Sequence, residues 1–102
     1  MNKVELHQQI CISLNEIYKI KNNDYGDSFA KLREEIPSAV LVRIYDKYSR
    51  LKTLKLDKEK AMVKDESIKD TLMDLANYCI MELIEMLVDE NNKKDVPESS
   101  DL

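Results

Sequence analysis

The sequence predicts an all-α fold: three long helices and a short one, in a helical bundle completed by oligomerisation. Three observations predict it. Apolar residues recur at three- and four-residue spacing through most of the chain, which is helical periodicity. Turn residues are scarce: one Gly and two Pro in 102 residues cannot supply the tight turns of a β-sandwich or barrel. The stretch from Cys79 to Val88 is apolar on nearly every side, interrupted only by Glu82 and Glu85. A helix of that kind is covered on more than one side, which three helices of a small chain cannot do alone. A homo-dimer or higher homo-oligomer is therefore expected, with a four-helix or larger bundle across it.

The elements follow in order. Residues 3–21 place Leu6, Ile10, Leu14, Ile17 and Tyr18 on one helical face. The polar run from Lys21 to Ser28, with Asn22, Asn23, Asp24 and Gly26, reads as a loop. A short helix over 28–35 is capped by Asp27 or Ser28 and ended by Pro37. The second long helix spans 38–56, with Leu41, Ile44, Tyr48 and Leu51 as its apolar stripe. The third spans 66–90, with Asp65 as N-cap and Glu66 in the first turn, where the helix dipole favours a negative charge. Its core face is Ile68, Leu72, Leu75, Cys79, Leu83 and Met86. Residues 1–90 are read as one domain and 91–102 as a flexible C-terminal tail.

Charge and residue counts exclude several functions. A net charge of −4 argues against duplex DNA as partner, because that contact rests on a basic surface. No 18-residue apolar run or signal peptide is visible, so the expectation is a cytoplasmic chain with no membrane partner. Cys11 and Cys79 lie in apolar stretches and read as reduced, buried thiols. Together with the single histidine, His7, they are too few for a Cys/His zinc site within one chain. The single Gly26 rules out glycine-rich phosphate loops. Any metal must be held by carboxylates, which selects a hard ion such as Mg²⁺ or Mn²⁺.

Two polar stripes carry possible chemistry. Glu66, Asp70 and Asp74 recur every four residues on the last helix, with Asn77 near the same line. Like charges at that spacing repel, and a divalent cation would offset the repulsion, as would neighbouring lysines. On the middle helix Arg43, Lys47 and Arg50 form a cationic stripe, with Asp46 beside it. Facing each other, the two stripes would either form salt bridges or hold a metal–phosphate ligand between them. In the preceding loop, Tyr25 could stack on a base and Asp24 could read its polar edge.

Three blocks carry a family resemblance: Lys21-Asn22-Asn23-Asp24-Tyr25-Gly26-Asp27-Ser28-Phe29, then Val42 to Leu51, then Asp65 to Tyr78. In these the chain resembles the nucleotide modification associated domain 1 family, which is common in phages and prophages. Its name marks an association with nucleotide metabolism. More distantly, the chain is similar to all-α nucleoside triphosphate pyrophosphohydrolases of the MazG kind, which hold Mg²⁺ with acidic residues on two helices. Asp70 to Tyr78 resembles their second acidic motif, with an Asp four residues before Asp74 in place of a Glu three residues before it. Their first motif has no counterpart, since Glu34-Glu35 runs into Ile36-Pro37.

The resemblance implies a nucleotide partner, and three readings stay open. In the first, a Mg²⁺-dependent pyrophosphohydrolase, Glu66, Asp70 and Asp74 are catalytic and hold the metal with Asp46. Arg43, Lys47 and Arg50 take phosphates, while Asp24, Tyr25 and Asn77 contact base or sugar. The second is a nucleotide-binding or sequestering protein without turnover. The third is a structural helical interaction protein whose stripes pair with each other.

Overall fold

The computed structural model describes residues 1–25, 27–56 and 61–94, with side chains at all of these except 24, 25, 61–65 and 94. Asn2 opens the first helix. Its Oδ1 accepts from the Glu5 amide at 2.9 Å, which satisfies one of the donors a helix N-terminus leaves without an internal partner. Helix α1 then spans Lys3–Tyr25. It runs past the expected end at 21, through the polar segment read as a loop. Lys21 explains part of the difference, because its ammonium is tied to Asp74 on the last helix at 3.0 Å.

Helix α2 spans Ser28–Glu35, and Phe29 is its buried residue. It stops where expected. Ile36 is extended at φ −127 and ψ 91, the conformation that a following proline imposes on its neighbour. A tight turn at Pro37-Ser38 leads into α3, Ala39–Leu56. Helix α4, Ala61–Lys94, has 34 residues and at ~1.5 Å per residue is roughly 51 Å long. It begins before the expected start at 66, because Ala61-Met62-Val63-Lys64 contains no residue that breaks a helix. Asp65 therefore lies inside α4 and is not its N-cap. At the other end α4 continues beyond 90 into the segment read as tail.

All described elements are helices, as the periodicity predicts. Helices α3 and α4 form an antiparallel hairpin, and three lateral contacts fix its register. The Arg43 guanidinium lies 5.8 Å from the centre of the Tyr78 ring. Lys47 Nζ is 3.3 Å from Asp74 Oδ2. Arg50 Nε donates to Thr71 Oγ1 at 3.2 Å. The buried Thr71 hydroxyl donates in turn to the Ser67 carbonyl at 2.6 Å. Helix α1 crosses one side of this hairpin, where Leu14 is buried and Asn77 Nδ2 donates to the Leu14 carbonyl at 3.2 Å. Arg33 ties α2 to α4 through Glu82 at 3.0 Å and Asp89 at 2.9 Å.

The single chain buries little. Leu14, Phe29, Ala39 and Ile68 are its buried apolar residues among those described. Several residues expected in the core are exposed: Leu6 and Ile10 on α1, Leu41 and Tyr48 on α3, and Leu72, Leu83 and Met86 on α4. Both cysteines are also exposed, which corrects the expectation of buried thiols. Their apolar surroundings in sequence are surfaces that this chain alone leaves uncovered. The molecule measures 62 × 34 × 25 Å, and no described helix is long and apolar enough to cross a membrane.

Candidate functional site

The four helices enclose a cavity of about 310 Å³, the size of pocket that takes a small ligand. Its floor is α4, which contributes Asp74, Asn77, Tyr78, Met81, Ile84 and Glu85. Helix α1 supplies Tyr18, Lys21 and Asn22, one turn apart on the same face. Asp27, Ser28, Phe29 and Leu32 come from the start of α2, and Arg43 comes from α3. Phe29 and Tyr78 stack at an angle, with ring centres 6.1 Å apart and planes tilted by 48°. Asn77 is buried, and its bond to the Leu14 carbonyl fixes its amide at the junction of α1 and α4.

Charge is distributed unevenly along the floor. At one end Asp74 sits between Lys21 of α1 and Lys47 of α3. Partial burial works to raise its pKa, but the hydrogen bonds and charges of Lys21, then Lys47, outweigh it and hold the carboxyl below its ordinary value. Arg43 lies farther along, over Tyr78. At the other end Glu85 is pushed above its ordinary value, first by burial and then by the negative charge of Asp27, with Arg33 opposing. From residue 74 to residue 85 the floor runs roughly 16 Å. One end thus offers cations, the middle offers aromatic faces, and the far end offers carboxylate acceptors.

The residues singled out from sequence fall into three groups. Arg43, Lys47 and Arg50 all face α4, as a cationic stripe beside the hairpin seam should. Only Arg43 lines the cavity; Lys47 lies behind Asp74, and Arg50 is spent on Thr71. Asp74 and Asn77 line the cavity too. The acidic stripe does not follow them. Residues four apart precess by about 40° per step around a helix, so Glu66 and Asp70 turn out of the α3-facing side that Asp74 occupies. Both are exposed, and Asp70 lines a separate small cleft with Ile17, Lys21, Met73 and Asp74. Asp46 is exposed on α3, on the flank beside the cationic stripe. The side chains of Asp24 and Tyr25 lie outside the described residues.

Magnesium was the cofactor expected from the acidic stripe. Among the described residues no three His, Cys, Asp or Glu side chains group so as to hold a metal ion. The best placed carboxylate, Asp74, is already neutralised by two ammonium groups. Among the described residues, the donor set as arranged does not fit a divalent cation.

Sequence reasoning passed over Lys21, Asp27, Phe29 and Glu85 as site residues, and placed Tyr18 on a core face. A signal for two of them existed. Phe29 is the only phenylalanine of the chain, and Lys21 follows Tyr18 at a spacing of three.

The curated proteins and the solved structures give no match to this chain. A family model, nucleotide modification associated domain 1, matches residues 21–86. That span holds every residue lining the cavity except Tyr18. With well over half its length matched, from the lysine at the cavity's cationic end through the whole floor, the chain belongs to the nucleotide modification associated domain 1 family.

Proposed function

We propose that the protein binds a nucleotide of about monophosphate size in the cavity between its four helices. One observation carries the reading: the cavity has aromatic walls, cations toward one end and carboxylates at the other. A nucleotide has the same sequence of chemistry. Its base stacks on aromatic rings, its phosphate takes charge-assisted hydrogen bonds from lysine and arginine, and an exocyclic amine donates to a carboxylate. Lys21 and Arg43 meet the phosphate. Tyr18, Phe29 and Tyr78 hold the base, and Asp27 with Glu85 accepts from a base that bears an amine. The family supports nucleotides as the ligand class.

Binding without turnover fits this arrangement better than phosphoanhydride hydrolysis. Hydrolysis of the expected kind asks Glu66, Asp70, Asp74 and Asp46 to share a cation, whereas Asp74 is paired with Lys21 and Lys47 and the other three are exposed. The test is isothermal titration of the whole chain with a panel of nucleoside mono-, di- and triphosphates, with Mg²⁺ or with chelator. Pyrophosphate release is followed in parallel. The expected result is binding that tolerates chelator, weakens on Arg43→Ala, and returns the nucleotide intact. No binding by any member of the panel at millimolar concentration refutes the reading. Mg²⁺-dependent pyrophosphate release lost in Asp70→Ala replaces it with the hydrolase.

A further inference from the structure

We propose that the protein is a symmetric homodimer in which α4 packs antiparallel against α4 of a second copy, about a twofold axis near Cys79. The inference is independent of the nucleotide reading. It starts from the spacing of residues along one side of α4. Leu72, Ala76, Cys79, Leu83 and Met86 recur at intervals of four, three, four and three, the heptad spacing of a helix seam that packs on another helix. In the single chain Leu72, Leu83 and Met86 are about half exposed, and Cys79 is exposed as well. Ile80 and Leu87 widen the stripe.

Helix α3 carries a separate exposed apolar side. Arg43, Lys47 and Arg50 fix which side of α3 meets α4, and Leu41, Tyr45 and Tyr48 fall on a side well away from it. All three are more than half exposed. That side points away from α4 and does not join the α4 stripe, so the seam between two copies is made by α4 itself.

Area supports a second copy as the occupant. The chain exposes 8559 Å². A compact monomer of 11.9 kDa exposes roughly 5,900 Å². The excess is more than the ~800 Å² that a standard interface removes from each partner. Charge sets the direction. Lys69 and Glu90 flank the seam at its two ends, both exposed. Parallel packing would bring like against like at each end. Antiparallel packing about Cys79 sets Lys69 near Glu90 of the other copy, and Leu72 opposite Met86.

The test uses the whole chain. Sedimentation velocity is expected to give twice the 11.9 kDa chain mass, and Leu83→Glu to give a helical monomer. Should Leu83→Glu fail to fold, crosslinking decides. Diamide treatment of Cys11→Ser is expected to join two copies through Cys79. In a Cys11→Ser, Cys79→Ser background, Leu72→Cys chains mixed with Met86→Cys chains are expected to crosslink, and Leu72→Cys chains alone are not. A monomer at every concentration overturns the dimer, as does a folded dimer that survives Leu83→Glu. Crosslinking of Leu72→Cys chains to each other overturns the antiparallel direction.

Discussion

Asp74→Asn is the substitution whose sign separates binding from hydrolysis. The carboxylate is held by Lys21 at 3.0 Å and Lys47 at 3.3 Å, and about a third of its side chain meets solvent. A phosphate seated against the lysines from the cavity side lies about 6 Å from that carboxylate. For a half-exposed site, a dielectric constant of about 40 gives a repulsion of about 1.4 kcal/mol per phosphate charge. Removing the negative charge relieves it, so Asp74→Asn is expected to bind a nucleoside monophosphate about tenfold more tightly than the parent. The loss of two partly exposed ion pairs costs about 1 kcal/mol of stability, too little to unfold the chain. The assay is titration calorimetry at low salt and at 0.5 M salt, with circular dichroism as a check on folding. The gain is expected to shrink at high salt through screening. Weaker or unchanged binding by a folded Asp74→Asn chain would refute the electrostatic argument and the assignment of the cationic end.

Three further outcomes are expected. Asn77→Ala removes the buried amide that holds the Leu14 carbonyl, and should cost about 1–2 kcal/mol in urea unfolding. Glu85→Gln tests the pH dependence. The native pKa of Glu85 lies above its ordinary 4.5, so native stability is highest below that pH and falls as pH rises through the native value. The variant is therefore expected to be more stable than the parent at pH 7 and equal to it near pH 4, read from urea midpoints across that range. Arg33→Ala removes the tie from α2 to Glu82 and Asp89. Hydrogen exchange should then show faster exchange confined to α2, with α3 and α4 unchanged.

Much of the fold was legible because helical periodicity is a local property. All four helices were anticipated, and α2 and α3 end close to where Pro37 and the apolar stripe of 38–56 place them. The errors sit where local signals are weak. Nothing in Ala61 to Lys64 marks a helix start, and a distant lysine contact at Asp74 holds the polar end of α1. The site was half legible for a geometric reason. Arg43, Lys47 and Arg50 are spaced by four and three, which keeps them on one side of α3 and against α4. Glu66, Asp70 and Asp74 are spaced by four and four, which rotates them apart. The aromatic walls come from α1, α2 and α4 together, and a contact among three helices leaves no period in any one of them.

Helix α1 brings Tyr18 and Lys21 to the cavity, yet it rests on α4 mainly through one amide, one ion pair and the buried Leu14. That wall is the cheapest part of the molecule to lift. A ligand that grips both α1 and α4 must tighten their docking by the free energy it gains from touching both, and anything that loosens α1 must weaken the ligand equally. Occupancy should thus be readable beyond the site, as slowed amide exchange in α1 N-terminal to the residues that the ligand touches.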